Sequence, residues 1–303
     1  MADLSVNVAG VRFENPLVAA SGTFGFGREY GEFYPLSALG GISCKGITLK
    51  RRDGNPPPRI AETPSGILNA VGLQNPGVDV FSEEDLPWLK QQNTVVIANI
   101  AGNTVEEYCQ MAEKLSETGV DMIELNISCP NVKSGGVQFG TSCESVGNIT
   151  AEVRRHCKKP LIVKLSPNVT DIASIAQSAE ASGADALSMI NTLTGMRIDI
   201  RTRRPIIRNN TGGLSGAAVF PVAVRMVWQV ANAVKIPIIG MGGISTWEDA
   251  VEMLMAGATA LQIGTVLFSD PYAPVKITEG LNSFLDENGI KSVSELTGTV
   301  IPW

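Results

Sequence analysis

The sequence predicts an α/β protein, specifically a (β/α)8 TIM barrel whose N-terminal end is closed by a small β-hairpin. Eight short runs rich in Val, Ile and Leu lack the polar alternation of half-exposed strands. Such runs are typical of parallel strands covered on both faces. Longer segments with helical periodicity lie between them. Eight strand–helix units in roughly 250 residues match the size of this barrel.

The first fourteen residues form a separate pattern, which predicts the hairpin. Apolar residues alternate on both sides of Ala9-Gly10, as two strands joined by a tight turn require. The predicted barrel strands follow at residues 16–21, 41–48, 95–102, 122–129, 161–166, 186–192, 236–243 and 260–268.

We predict that a helix follows each strand. The clearest helices begin at Thr104, Asp171 and Thr246, whose side chains can cap a first turn, and glycines at 119, 183 and 257 can end them. No linker rich in Pro, Gly or Ser divides the chain, so one barrel domain over residues 1–303 is expected. A doubly wound sheet is the alternative, but the glycine-rich GTFGFG is followed by REYGEFYP rather than by an apolar helix.

Composition excludes several classes of protein. The chain has 303 residues, is 44% hydrophobic and carries a net charge of -6, so disorder and general nucleic-acid binding are not expected. The sequence contains neither a secretory signal nor an apolar run of about 18 residues, which predicts a cytoplasmic protein without a membrane span. The five cysteines form no CxxC pair, which is typical of free thiols in a reducing compartment.

Polar residues stand at the carboxyl ends of the predicted strands, where barrel enzymes carry their active sites. Polar groups inside apolar strands are costly unless they are hydrogen-bonded, so a ligand explains them better than core packing does. These residues are Ser21, Lys45, Asn99, Asn126, Ser128, Cys129, Asn131, Lys164, Asn191 and Thr192.

Glycine-rich loops after the last two strands predict a phosphate site. GMGGIST at 240–246 and IGT at 263–265 occupy barrel positions that often bind phosphate. NNTGGLSG at 209–216 could complete the same phosphate site. Two lysines, several amides and one phosphate site suit flavin mononucleotide (FMN), a flat ligand with a polar edge. A phosphosugar lyase or isomerase, in which Lys164 forms an imine, is the alternative from another class.

Cys129 is the expected proton acceptor. It ends the fourth strand, and a thiol can act as a base when its pKa is tuned toward neutrality. The only histidine, His156, lies in the basic end of a helix and is expected at the surface. Glu124 shares a strand face with Asn126 and is a candidate orienting group. The other four cysteines are expected to be structural.

Together these stretches resemble the catalytic flavoprotein subunit of class 1 dihydroorotate dehydrogenases over essentially the full length. The matching segments are ASGTFGFG, KGITLKRRDGNPPPR, NAVGLQNPG, NISCPNVKSGG, VKLSPNVTDI, INTLTG, GGLSG, IIGMGGI and IGT. The resemblance implies oxidation of (S)-dihydroorotate to orotate in pyrimidine (UMP) biosynthesis. It also implies that Cys129 removes the carbon-5 proton while hydride passes from carbon 6 to FMN.

The same resemblance implies the binding residues, with no metal among the ligands. FMN would be bound by Ser21, Lys45, Gly46, Asn99, Asn126, Lys164, Ile190, Gly216, Gly242, Gly243, Gly264 and Thr265. Dihydroorotate would be bound by Lys45, Asn69, Ala70, Val71, Gly72, Leu73, Asn126, Asn131, Asn191 and Thr192. Val266-Leu267 departs from the family pattern, in which many members carry Ala-Asn.

The resemblance is closer to the NAD-linked (class 1B) subtype, on the segments NAVGLQNPG and NTLTGMRIDI. That subtype implies a partner subunit carrying FAD and a [2Fe-2S] cluster, with a homodimer core inside a heterotetramer. The fumarate-linked class 1A subtype is the alternative within the family. The membrane-bound, quinone-linked class uses a serine base and an N-terminal membrane helix, and the sequence contains neither.

Overall fold

The computed structural model describes residues 2–127 and 139–303 and contains a closed parallel barrel. The strands of the described residues are β1 (Val6–Val8), β2 (Val11–Phe13), β3 (Leu17–Ala19), β4 (Gly41–Ser43), β5 (Ile60–Thr63), β6 (Gly66–Asn69), β7 (Val95–Ile100), β8 (Met122–Asn126), β9 (Leu161–Lys164), β10 (Ala186–Met189), β11 (Leu193–Gly195), β12 (Ile198–Asp199), β13 (Arg204–Pro205), β14 (Gly212–Ser215), β15 (Ile238–Met241) and β16 (Ala260–Ile263). The helices are α1 (Val78–Val80), α2 (Leu86–Leu89), α3 (Val105–Ser116), α4 (Cys143–His156), α5 (Ile172–Ala181), α6 (Phe220–Ala231), α7 (Trp247–Met255) and α8 (Ala273–Glu287).

The barrel has the order β3-β4-β7-β8-β9-β10-β15-β16, and all of its pairings are parallel. The last strand closes on the first, with Leu261 opposite Leu17. Almost every residue of these strands is buried, because the barrel interior covers one face and the surrounding helices cover the other. All eight predicted strand positions are confirmed, although several strands are shorter than their apolar runs.

The hairpin of β1 and β2 plugs the N-terminal end of the barrel, as predicted. Ala9 and Gly10 both have positive φ, 51° and 84°, as a two-residue type I′ turn requires. Phe13 packs against Gly41, the first residue of β4, so closely that a Cβ on that glycine would come within 2.7 Å of the ring.

The helix prediction holds in part. Thr104, Asp171 and Thr246 are the N-caps of α3, α5 and α7, and each side chain accepts a hydrogen bond from the first turn. The prediction of a helix after the first barrel strand is wrong, because two 3-10 turns, Tyr30–Glu32 and Leu36–Ala38, follow β3 instead. This segment contains several glycines, and Gly25 and Gly27 adopt positive φ, which a continuous α-helix excludes.

The eighth predicted strand also ends earlier than its apolar run. β16 stops at Ile263, and Thr265–Phe268 forms a 3-10 turn. Gly264 breaks the extended backbone, with φ -124° and ψ -97°. This break places Thr265 at the mouth of the barrel rather than along its wall.

A second, antiparallel sheet lies at the C-terminal end of the barrel, and the sequence analysis did not predict it. Its order is β11-β14-β6-β5. Strands β5 and β6 are inserted after β4, whereas β11 and β14 are inserted after β10. Gly213 of β14 pairs with Asn69 of β6, so two distant insertions together cover one side of the mouth.

Candidate active site

One cavity opens at the carboxyl ends of the barrel strands, beneath the antiparallel sheet. Most residues predicted to bind FMN line it, namely Ser21, Lys45, Gly46, Asn126, Lys164, Ile190, Gly216, Gly242, Gly243, Gly264 and Thr265. Most residues predicted to bind the substrate also line it, namely Lys45, Asn69, Val71, Gly72, Leu73, Asn126, Asn191 and Thr192. The fold therefore gathers residues from the whole length of the chain around one space.

Among the described residues, two predicted site residues, Asn99 and Ala70, do not line the cavity. Asn99 is fully buried one layer below the cavity. Ala70 is also buried and donates its backbone N–H to the carbonyl of Arg59. Cys129 and Asn131 lie outside the described residues, so the predicted base and one predicted substrate ligand stay predictions.

Glu124 is the centre of a hydrogen-bonded network below the cavity. Its carboxylate is fully buried and accepts hydrogen bonds from side chains on four other strands. The donors are Ser43 Oγ at 2.6 Å, Asn99 Nδ2 at 2.5 Å, Ser188 Oγ at 2.6 Å and Gln262 Nε2 at 2.7 Å. Ser43 and Asn99 donate to Oε2, and Ser188 and Gln262 donate to Oε1. Each carboxylate oxygen of Glu124 therefore accepts two hydrogen bonds from side chains inside the barrel.

Charge and hydrogen bonding keep this carboxylate ionised. Burial raises the pKa of Glu124, but the positive charge of Lys164 and hydrogen bonds from Ser188, Ser43 and Asn99 together outweigh that effect. The pKa of Glu124 therefore lies below its ordinary value. Glu124 thus serves as the buried counter-charge of Lys164, which extends the sequence-based hypothesis of an orienting group.

Lys164 is the buried cation of the site. It ends β9 opposite Asn126 of β8, and its side chain is 5% exposed. Its Nζ donates a 3.5 Å hydrogen bond to Ser21 Oγ, and Ser21 follows β3 on the other side of the barrel. The ammonium group therefore lies among polar atoms at the cavity surface.

A chain of amides runs from Glu124 to the mouth. Asn126 Nδ2 donates to Asn99 Oδ1 at 3.5 Å, and Asn191 Nδ2 donates to Asn126 Oδ1 at 3.4 Å. Asn191 Oδ1 then accepts the backbone N–H of Thr192 at 2.8 Å. Glu124 fixes the amide direction at one end and the Thr192 backbone fixes it at the other, because a carboxylate only accepts and an N–H only donates.

The glycine loops approach each other at the opposite side of the cavity. Gly216, Gly242 and Gly243 have φ of 105°, 122° and 80°, a region that glycine adopts without steric cost. Thr265 Oγ1 is 2.9 Å from Ser215 Oγ, which joins the segment after β16 to the last residue of β14. Loops of this kind let backbone N–H groups approach an anion closely.

The remaining titratable candidates lie away from the cavity. His156 is the last residue of α4, half-exposed, with Nδ1 3.8 Å from a carboxylate oxygen of Glu113, as the sequence predicted. Cys44 and Cys157 are buried and Cys109 is partly buried, whereas Cys143 is exposed at the start of α4. The expectation of a structural role therefore fits the buried thiols, but packing does not explain Cys143.

Gln262 and the residues that the second sheet contributes to the cavity were not predicted from the sequence. Gln262 is a buried amide in the middle of β16 and lines the cavity floor. Its presence in an otherwise apolar strand was a usable signal, of the same kind that identified Lys164. Ile60, Ile67 and Leu214 come from short strands in the insertions, and their sequences carry no clear strand period.

Comparison with known proteins decides the family. The family model of dihydroorotate dehydrogenase matches residues 3–285. The chain belongs to this family. A protein of Lachnoclostridium phytofermentans is 58% identical over 296 residues, covering 98% of this chain and 99% of that protein. A protein of Petrotoga mobilis is 53% identical over 300 residues, covering 99% of this chain and 100% of that protein.

Both relatives are named dihydroorotate dehydrogenase B (NAD(+)), catalytic subunit. A protein of Bacteroides fragilis with the same name is 55% identical over 301 residues, covering 99% of both chains. The predicted membership of the dihydroorotate dehydrogenase family is therefore confirmed, and these relatives carry the name of the predicted subtype. Among the described residues, no helix combines the length and apolar content needed to cross a membrane.

Proposed function

We propose that this chain is the FMN-containing catalytic subunit of an NAD-linked dihydroorotate dehydrogenase, which oxidises (S)-dihydroorotate to orotate. One observation carries the proposal. A single cavity at the carboxyl ends of the barrel strands is lined by the buried cation Lys164, by amides and by three glycine-containing loops. This combination suits a ligand with a polar ring edge and one phosphate.

The residues present fit FMN. The buried polar groups Lys164, Ser21 and Asn126 would bind the flavin ring or its ribityl chain, since each is a hydrogen-bonding group at the cavity wall. Gly242-Gly243 and Gly264-Thr265 would hold the phosphate through backbone N–H groups. FMN, when bound, supplies the acceptor for the hydride from carbon 6 of dihydroorotate.

The chain's own residues bind the substrate and move a proton. Asn69, Asn126, Asn191 and Thr192 offer amide and hydroxyl groups to the carboxylate and ring amides of dihydroorotate. Lys45 places a cation at the same wall, where it would neutralise the substrate carboxylate. The thiolate of Cys129 would take the proton from carbon 5, which leaves the carbon–carbon double bond of orotate when the hydride departs from carbon 6.

The proposal extends to a partner and to the place of action. A second subunit carrying FAD and a [2Fe-2S] cluster would pass the electrons to NAD+, within a heterotetramer built on a homodimer of this chain. The relatives' name, catalytic subunit, supports a partner of this kind. We propose that residues 1–303 form one domain that binds both flavin and substrate, and that the protein acts in the cytoplasm.

Anaerobic flavin reduction tests the function. The purified chain should contain FMN, and dihydroorotate should bleach its visible absorption. Lys164→Met should weaken FMN retention or slow bleaching, whereas Lys276→Met, an exposed lysine of α8, should do neither. A chain that binds no FMN, and that is inactivated by borohydride with a ketose phosphate, would instead be a phosphosugar lyase.

The base is tested separately. Cys129→Ser should slow bleaching strongly at neutral pH while FMN stays bound, because a hydroxyl is a far weaker base than a thiolate. Cys143→Ser is the matched control, since Cys143 is exposed on α4 and does not line the cavity. Bleaching of Cys129→Ser at the wild-type rate would remove this cysteine from the mechanism.

A further inference from the structure

Gln262 is the one polar side chain of β16, between the buried Leu261 and Ile263. It is 1% exposed and lines the cavity floor. An amide has donors on nitrogen and an acceptor oxygen, and a buried amide is costly unless both find partners. The nitrogen and the oxygen of the Gln262 amide therefore each need a partner.

The charge of Glu124 fixes the orientation of the Gln262 amide. Gln262 Nε2 donates to Glu124 Oε1 at 2.7 Å. Because the pKa of Glu124 lies below its ordinary value, the carboxylate is ionised at neutral pH and only accepts hydrogen bonds. The amide cannot turn its oxygen toward the carboxylate, so Gln262 Oε1 faces away from Glu124.

That oxygen has no hydrogen-bond partner among the described residues. Tyr34 Oη, Thr63 Oγ1 and Thr150 Oγ1 share this property, but none of these three residues lines the cavity. Buried polar atoms without partners are rare in folded proteins, and each one calls for an explanation. At the floor of a ligand cavity, the simplest explanation is a donor on the ligand.

We propose that Gln262 is a further flavin-binding residue, whose Oε1 accepts a hydrogen bond from an N–H or O–H group of FMN. In the same proposal, Glu124 is the positioning residue that holds the acceptor toward the cavity. The inference rests on the proposed function. FMN carries suitable donors in its ring N–H and in the hydroxyl groups of its ribityl chain.

FMN binding to the flavin-free full-length chain, followed by quenching of flavin fluorescence, tests the role of Gln262. Gln262→Met keeps the side-chain length but removes the acceptor, and should raise the Kd for FMN about 3–10-fold. Ser188→Ala is the matched control, because Ser188 donates to the same Glu124 oxygen and does not line the cavity. Its Kd should change less than twofold.

The outcomes separate the inference from the proposed function. An unchanged Kd in Gln262→Met, or an equal rise in Ser188→Ala, would overturn the role of Gln262. If Gln262→Met does not fold, Gln262→Asn takes its place, because a shorter amide cannot hold Glu124 and reach the ligand together. Failure of the wild-type chain to bind FMN would refute the proposed function, and the inference with it.

A double-mutant cycle on the same Kd tests the positioning role of Glu124. Glu124→Gln can accept or donate, so it no longer fixes the Gln262 amide, and FMN binding should weaken. If Glu124 acts through Gln262, adding Gln262→Met should weaken binding by less than the product of the two single effects. Fully multiplicative effects would mean that Glu124 contributes to flavin binding independently, and would overturn the positioning role.

Discussion

Replacing Glu124 with Gln is the sharpest test of the network below the cavity, because the substitution keeps the shape and removes the charge. Both carboxylate oxygens of Glu124 accept two hydrogen bonds each. A glutamine amide keeps one oxygen and places an NH2 group against the donors on the other side. The serine hydroxyl on that side can turn to accept from the NH2 group, but the amide donor beside it loses its acceptor. Lys164 also loses a buried negative charge that acts on it.

The magnitude follows from these losses. A buried donor left without an acceptor costs about 1–3 kcal/mol, and the favourable charge interaction between Glu124 and Lys164 is lost in addition. Burying a neutral amide is cheaper than burying a carboxylate, which offsets part of this cost. We therefore expect Glu124→Gln to lower the free energy of unfolding by about 1–3 kcal/mol.

Urea unfolding of the flavin-free chain, followed by far-UV circular dichroism, measures this effect without a contribution from ligand binding. Ser188→Ala removes one donor and leaves the charge, so its loss should be smaller, about 1 kcal/mol. Glu113→Gln is the control for removing an exposed carboxylate and should change little. A midpoint for Glu124→Gln at or above that of the wild type would refute the reasoning.

Other perturbations have equally definite outcomes. Folding lowers the pKa of Glu124, so its ionised carboxylate adds to the free energy of unfolding above the ordinary glutamate pKa. That stabilisation is lost as pH falls through the folded pKa, and the difference in urea midpoint between the wild type and Glu124→Gln should therefore shrink on acidification. Thr246→Ala, which removes the capping box of α7, should cost about 1 kcal/mol in the same assay, and Thr246→Ser should restore most of it. Gly243→Ala should lower both stability and FMN affinity, since its φ is 80° and the new Cβ would lie 2.8 Å from the backbone nitrogen of Phe220; wild-type values of both would contradict this. In native Cys129→Ser, Ellman's reagent at pH 8 should modify the exposed Cys143 within seconds, and adding Cys143→Ser should remove that fast phase, whereas a persisting fast phase would be the contrary result.

The barrel could be predicted from the sequence because its signal is local. Runs such as 95–100 and 161–164 are continuous and apolar, and they need no knowledge of distant residues to be identified as buried strands. The caps Thr104 and Thr246 are local signals as well. A helix was wrongly predicted after β3 because strands and helices alternate elsewhere in the barrel. The glycines of this segment favour turns instead.

Individual residues of the candidate site could be predicted from the sequence, but their contacts with each other could not. Lys164 and Asn126 stand out because they are polar inside apolar strands. The meeting of Ser43, Ser188 and Gln262 at Glu124 could not be predicted, because these residues lie on three separate strands and come together only when the barrel closes. The second sheet was missed because its strands are short, partly exposed and paired across distant insertions.

Closure of the barrel by β16 against β3 has a consequence for how the protein acquires its ligand. Leu17 near the start of the chain pairs with Leu261 near its end, and Asn69 pairs with Gly213 over the mouth. Until the ribosome has released β16, the nascent chain exposes unpaired edges at β3 and β15, which are prone to association with other chains. The cavity forms only once β16 has been synthesised and has paired with β3, so a ligand binds after the step that covers the exposed strand edges.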